Sequence, residues 1–265
     1  MQSIALPCNN FAEGHDAVIP RAASALPSIR QLGMEDLNSS QSCCFCDDEV
    51  HAWVFSYSEL FNIPTLQDSL SALEWERAAL FASKKFADKY SYARGALRAV
   101  LSQYSSVTPE NITFEYAASG KPFIKSNPLY FNLSHSGDLV FIVVSETHEL
   151  GVDVEFYRPI PEALSIAENW FSDMETTWIK SSPCNDEAFL RCWVIREAFV
   201  KAVGCGLKLP LDSFGILLPD FFSTEKEMNG IRSPLITKHA QCDDVQILEL
   251  TLQNNYLAAI AALRV

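Results

Sequence analysis

Two carboxylates, Asp153 and Glu155, stand two residues apart in the run Gly151-Val152-Asp153-Val154-Glu155. In an extended strand alternate residues share a face, so this pair points one way while Val152 and Val154 point the other, toward a core. Adjacent carboxylates repel, and burying both beside an apolar sheet is costly unless a cation holds them. A hard divalent ion such as Mg²⁺ suits one or two carboxylates completed by substrate phosphates. The same five residues also describe an edge strand with a solvated acidic face, and alone they leave both readings open.

A second constellation lies in Trp193-Val194-Ile195-Arg196-Glu197-Ala198-Phe199-Val200-Lys201. At helical spacing Trp193, Glu197 and Lys201 follow one another on one face. They offer a third metal-binding carboxylate and, one turn on, a lysine for a phosphate. A surface ion pair worth under ~1 kcal/mol has the same pattern. A third group is Phe131-Asn132-Leu133-Ser134-His135-Ser136-Gly137, where Ser134 and His135 put hydrogen-bond donors at a strand end, for phosphate oxygens or a base. A serine nucleophile with a histidine base is the competing chemistry. Neighbours in a strand diverge, however, and no Gly-x-Ser-x-Gly elbow surrounds the serine. A structural role for His135 stays open. Gly120-Lys121-Pro122 reads as a turn that bears a lysine.

The elements that must position these groups are legible in outline. Val50 to Ser56 is rich in β-formers. Ser71 with Glu74 three residues on forms a capping box, and a helix follows through Leu80 and Phe81. A second helix is predicted from about Lys89 to Tyr104, with Arg94 and Arg98 four apart on one face. Ile112 to Tyr116 alternates as a strand does. Tyr130 to Ser134 and Leu139 to Ser145 read as strands joined across His135 to Asp138. A helical region begins near Pro161 and breaks around Asn169, and a long helix covers Asp186 to Val203, ended by Gly204 and Gly206. Val245 to Leu252 and Tyr256 to Leu263 form a closing hairpin across Gln253-Asn254-Asn255. Strands and helices mix without regular alternation, which implies an α+β fold. No internal sequence repeat is evident. Residues 1–49 lack periodicity and are expected to form a poorly structured extension, ahead of lobes spanning 50–149 and 150–265.

Composition sets the class. The chain has 265 residues, 48% apolar and 20% charged, as an ordinary globular protein has. Its apolar runs are strand-sized, and neither a transmembrane helix nor a signal peptide is expected, so the reading is cytoplasmic. Cys184, Cys192, Cys205 and Cys242 read as reduced thiols; Cys43, Cys44 and Cys46, near His51, lack a downstream pair, and no structural zinc is expected. A net charge of −13 argues against general nucleic-acid binding. Residues 73–98 reverse that sign, with Arg77, Lys84, Lys85, Lys89, Arg94 and Arg98 against Glu74, Glu76 and Asp88. Such a local patch suits a compact anionic ligand or an acidic partner.

Taken in order, Gly120-Lys121-Pro122, the 131–137 run, Gly151 to Glu155, and Trp193-x-x-x-Glu197-Ala198-Phe199-x-Lys201-x-x-Gly204 resemble the 4′-phosphopantetheinyl transferases of the Sfp type. The segment Leu207 to Phe214 fits as well, and the resemblance runs over roughly residues 50–265. It implies a monomeric fold of two pseudo-symmetric lobes with the cofactor between them. It implies transfer of the phosphopantetheine arm of coenzyme A to a serine of an acyl, peptidyl or aryl carrier protein, leaving adenosine 3′,5′-bisphosphate. Asp153, Glu155 and Glu197 match the Mg²⁺-binding carboxylates, with Asp153 also touching the cofactor. Lys201 matches the lysine near the pyrophosphate, and Glu197 is expected to serve as general base. Lys121, Ser134 and His135 match cofactor-contacting positions, His135 near the 3′-phosphate. Arg94 falls at a basic family position, and Lys84 and Lys85 are candidates for the 3′-phosphate. Arg196 stands where the family commonly has lysine. Two rival readings share some residues: a metal-dependent phosphodiesterase or nuclease, and a coenzyme A or carrier-protein binding module without chemistry.

Overall fold

The computed structural model describes residues 27–38, 42–46, 48–125, 129–206, 209–218, 231–232, 235–237, 245–252 and 255–265. The first 26 residues of the expected extension, Cys242, Leu207, Lys208, and Gln253 and Asn254 of the expected hairpin turn lie outside these.

Ser28–Leu32 (β1) runs parallel to Glu49–Ser56 (β2), with the single-turn helix Met34–Leu37 (α1) between them. The extension expected over 1–49 is therefore irregular only in part. Leu32 is buried, and Met34, Leu37, Cys43 and Phe45 pack on the same core, because β1 covers what would otherwise be an open edge of the sheet. Helices Tyr57–Leu60 (α2), Ala72–Ala79 (α3) and Lys84–Ser102 (α4) follow. Ser83 caps α4, so that helix begins five residues before the expected Lys89. Of the strand expected at 112–116 only Glu115–Tyr116 (β3) forms, paired with Pro122–Phe123 (β4). Tyr130–Ser136 (β5) and Leu139–Ser145 (β6) complete a sheet of order β1-β2-β6-β5.

The second half repeats the plan. His148–Phe156 (β7) leads to Ala163–Trp170 (α5), Asp173–Ser181 (α6) and Asn185–Val203 (α7). Gly215–Leu217 (β8), Ile231–Arg232 (β9) and Leu235–Thr237 (β10) are short; Val245–Leu252 (β11) and Tyr256–Arg264 (β12) form the closing hairpin. The sheet order is β7-β12-β11-β9. In each half one strand is followed by helices, a 19-residue helix and a hairpin whose last strand returns antiparallel to the first.

Side chains repeat too. Ser71 and Glu74 cap α3, and Glu74 receives the guanidinium of Arg98 on α4, which lies over the Phe114 ring. Ser172 and Glu175 cap α6, and Glu175 receives Arg196 on α7, which lies over Phe214. Each residue sits roughly 100 positions after its counterpart, a spacing that fits two lobes of ordinary domain size. The resulting structure is four layers, helix–sheet–sheet–helix. Trp53, Phe55, Val140 and Ile142 face α4, and Val50, Ala52, Phe141 and Val143 meet Leu150, Val152, Val154, Ala258 and Ile260 between the sheets. Leu257, Ala259 and Ala261 face α7. Among the described residues no helix is long and apolar enough to cross a membrane.

Candidate active site

The period-2 pattern of β7 decides where the carboxylates go. Val152 and Val154 are buried between the sheets, so Asp153 and Glu155 emerge on the α7 side. There β7 lies beside β5, running the same way, and side chains bridge the two lobes. Asn132 Oδ1 accepts the Val152 amide at 3.0 Å, Ser134 Oγ donates to Asp153 Oδ1 at 2.9 Å, and Ser136 Oγ donates to Glu155 Oε2 at 2.7 Å. These are alternate residues of β5, which matches them to the alternate acids of β7. Ser134 is thus a partner of the first carboxylate, with its neighbour His135 on the other face.

Helix α7 comes close because residue 151 is glycine. A Cβ there would stand 2.0 Å from the Ala198 carbonyl oxygen and 2.4 Å from the Ala202 nitrogen. With no side chain in the way, Glu197 and Lys201 lie over the strand. Lys201 Nζ donates to Asp153 Oδ1 at 2.7 Å, to the Val152 carbonyl at 3.0 Å and to Ser134 Oγ at 3.2 Å. Arg196 points away from this junction and is fully buried against Glu175, so it is an internal anchor of α7. Gly204, at φ +72°, ends the helix in the left-handed conformation.

The electrostatics are those of a crowded acidic site. Burial, ahead of Lys201 and Ser134 acting in the opposite sense, raises the pKa of Asp153 above its ordinary value. Burial, then repulsion from Asp153 and Glu155, raises that of Glu197. Glu197 has no hydrogen-bond or ion-pair partner among the described residues. Asp153 Oδ2 is buried without one. Glu155 is also held by Arg158, 2.9 Å away.

The rim contains groups that spacing did not single out. Lys89 Nζ donates to the Gly137 carbonyl and sits 4.5 Å over the Tyr57 ring, whose edge meets His135. The His135 residue as a whole is exposed, yet its ring is packed closely enough that desolvation, ahead of the charges on Lys201 and Lys89, lowers its pKa. Gly137, at φ +53°, makes the β5–β6 turn, where a Cβ would stand 2.5 Å from the Tyr256 hydroxyl of the other lobe. That hydroxyl accepts the Asp138 amide at 2.8 Å. None of these contacts is local in sequence, which is why motif spacing missed Lys89, Ser136 and Tyr256.

Lys121 joins the site from the turn between β3 and β4. It lines one open cleft with Lys201, Asn132 and Val200, while its ammonium pairs with Glu149 at 2.7 Å. Arg94 sits beside that turn, 2.8 Å from Glu74 and 3.4 Å from the Tyr116 hydroxyl, and lies over Phe114. Lys84 and Lys85 are not brought to the site. Lys84 pairs with Asp88 on the surface at 2.6 Å, and Lys85 is exposed.

Whether a metal fits can be judged from the donors. As they stand, no three His, Cys, Asp or Glu side chains among the described residues form a metal-binding group. Asp153, Glu155 and Glu197 nevertheless lie near enough to repel one another, one with an orphaned buried oxygen and one without a partner among the described residues, and oxygen donors of this kind are what a hard divalent cation takes. A cation would relieve the repulsion that raises both pKa values. The residues fit Mg²⁺ in type, with Glu155 having to share its carboxylate with Arg158.

Comparison with known proteins covers both lobes. Residues 149–261 match the family described as the 4′-phosphopantetheinyl transferase superfamily, and residues 53–148 match 4′-phosphopantetheinyl transferase, N-terminal. The 4′-phosphopantetheinyl transferase HetI of Nostoc sp. is 33% identical over 167 residues, covering 60% of this chain and 70% of the relative. The 4′-phosphopantetheinyl transferase ffp of Bacillus subtilis is 32% identical over 181 residues, 67% of this chain and 80% of the relative. The 4′-phosphopantetheinyl transferase Sfp of Bacillus subtilis strain 168 is 31% identical over 171 residues, 63% and 75% respectively.

Proposed function

The chain belongs to the 4′-phosphopantetheinyl transferases, and on that premise we propose that Asp153, Glu155 and Glu197 hold Mg²⁺ where the pyrophosphate of coenzyme A is cut. The enzyme transfers the 4′-phosphopantetheine arm of coenzyme A to a carrier protein. The observation that carries the site assignment is the buried Asp153 Oδ2, without a partner among the described residues, beside a Glu197 that is likewise without one and whose pKa is raised by burial and then by repulsion from Asp153. When bound, Mg²⁺ would neutralise charge on the pyrophosphate and on the departing bisphosphate.

The chain's own groups supply the rest. Glu197, its pKa raised by burial, is suited to take the proton of the carrier serine hydroxyl. As it does, the serine oxygen forms a bond to the phosphorus on the pantetheine side. The bond from that phosphorus to the bridging oxygen breaks, and adenosine 3′,5′-bisphosphate leaves with the electron pair. Lys201 offers a positive charge to the pyrophosphate from the helix side, and Ser134 holds both Asp153 and Lys201 in register. Lys121, in the same cleft, is assigned to the nucleotide, and His135 with Lys89 to the 3′-phosphate. Arg94 braces the turn that carries Lys121. Lys84 and Lys85 receive no place in this constellation. The same reading makes the enzyme a cytoplasmic monomer that binds neither membranes nor nucleic acid, and the net charge of −13 supports the last of these.

Metal removal tests the assignment. Transfer should stop in EDTA and return with Mg²⁺, and calorimetry should detect Mg²⁺ binding that Asp153→Asn and Glu197→Gln weaken. Undiminished transfer in EDTA would overturn it.

A further inference from the structure

The hairpin that carries Lys121 has no sheet to lean on. Its strands β3 and β4 are two residues each and form a two-stranded sheet of their own, apart from both main sheets. An isolated hairpin so short is not stable in water, so contacts outside it must hold it. Its turn fixes its own shape: Gly120, at φ +88°, donates its amide to the Ala117 carbonyl at 2.8 Å, and the Ala117 amide donates to the Lys121 carbonyl at 2.9 Å. Where that turn sits relative to the rest of the site is decided elsewhere.

Arg94 steadies it from its own lobe, through Tyr116. The stronger anchor is on the other lobe. Lys121 Nζ donates to Glu149 Oε2 at 2.7 Å and to the Ala202 carbonyl at 3.3 Å. Glu149, Gly151 and Asp153 are alternate residues of β7 and share the side on which α7 lies. Ala202 belongs to the last turn of α7, where carbonyls lack helical partners and a cation is favoured. The lysine stem passes the helix stop, its Cδ 3.8 Å from where a Cβ on Gly204 would stand, and the side chain is only 16% exposed. One ammonium thus joins a turn of the first lobe, the start of β7 and the end of the helix that bears Glu197 and Lys201.

We propose that Glu149 is a positioning residue for coenzyme A binding: it holds Lys121 on the end of α7 and so sets the wall of the cleft that Lys121 shares with Asn132, Val200 and Lys201. With its charge committed to Glu149 and Ala202, Lys121 serves the nucleotide through its stem and the turn behind it. The proposal rests on the transferase reading, since it takes that cleft to be a coenzyme A site. The opposite role, a carboxylate that competes with the cofactor's phosphates for Lys121, predicts effects of the opposite sign.

The test is steady-state transfer to a recombinant apo-acyl carrier protein by the full natural chain, Glu149→Gln, Lys121→Met and the double variant. Glu149 is 44% exposed, so solvent screens the pair, and Glu149→Gln should raise KM for coenzyme A about three- to fivefold, with kcat changing less. On the Lys121→Met background the same substitution should add nothing, as for a residue that acts through the lysine alone. A general loosening of the fold would instead add to the lysine's loss. An unchanged or lowered KM for coenzyme A in Glu149→Gln, or additive losses, overturns the proposal. Calorimetric binding of coenzyme A without a carrier separates this from the transferase reading. A natural chain that binds coenzyme A but transfers nothing counts against that reading alone, and the same cycle is then read in Kd. A natural chain that does not bind coenzyme A overturns the proposal as well.

Discussion

Glu197 shows how function and stability oppose one another at a single residue. It is half-buried near Asp153 and Glu155 with no partner among the described residues, and repulsion from them helps raise its pKa. Replacing it with glutamine keeps the shape and removes the repulsion. Glu197→Gln is therefore expected to raise the melting temperature in metal-free buffer by a few degrees while abolishing transfer, as substitutions at strained functional sites do. Differential scanning calorimetry checks the first half, and a lowered melting temperature would contradict the repulsive setting. Asp153 and Glu155 were readable as a pair because strand periodicity is strict. Their serine partners were not, since nothing in Asn132-Leu133-Ser134-His135-Ser136 tells which strand will lie alongside.

At the scale of elements, the site depends on how closely α7 can approach β7. Gly151→Ala would place a methyl carbon against helix backbone that has no room to give. Forcing α7 outward should cost about 1–3 kcal/mol or more and take Glu197 and Lys201 away from Asp153. A chemical-denaturation midpoint and a transfer assay measure the two losses together; an alanine variant of natural stability and activity would refute the contact. Helix α7 itself was legible from its composition and its glycine stop. The role of Arg196 was not: the sequence showed only a basic residue where the family commonly has lysine, whereas the helix turns it into the core, onto a glutamate 21 residues earlier. The same device in α3 and α4 made the repeat of the lobes visible only in three dimensions, because a few anchors such as Glu74 and Glu175 recur in otherwise dissimilar sequence.

For the whole molecule, pH should reveal which titrating groups the fold has buried. His51 is fully buried between Glu49 and Tyr104, and desolvation holds its pKa below the ordinary 6.5. His148 and His135 are lowered in the same way. Between the lowered folded value and 6.5 the unfolded chain binds more protons, so stability present above pH 6.5 is lost as pH falls through that window. Asp153 and Glu197, with raised values, act in the opposite sense at lower pH, where the folded state takes up protons first. The urea midpoint should therefore drop between about pH 7 and pH 5.5, and His51→Phe should lessen the drop. A flat profile in the natural chain would contradict the buried neutral imidazole. The α+β class and the longer elements, such as β2, β5–β7, α4, α7 and the closing hairpin, were legible from the sequence. The packing of residues 28–46 onto the first sheet was not, since a five-residue strand covering an edge has too short a pattern to read.

The most direct measurement of the central claim is intact-mass spectrometry of an apo-carrier protein incubated with coenzyme A and Mg²⁺. With the natural chain the carrier should gain one phosphopantetheine, and with Glu197→Gln or Asp153→Asn it should stay unmodified. A carrier left unmodified by the natural chain, or modified at near-normal rate by either variant, would contradict the account.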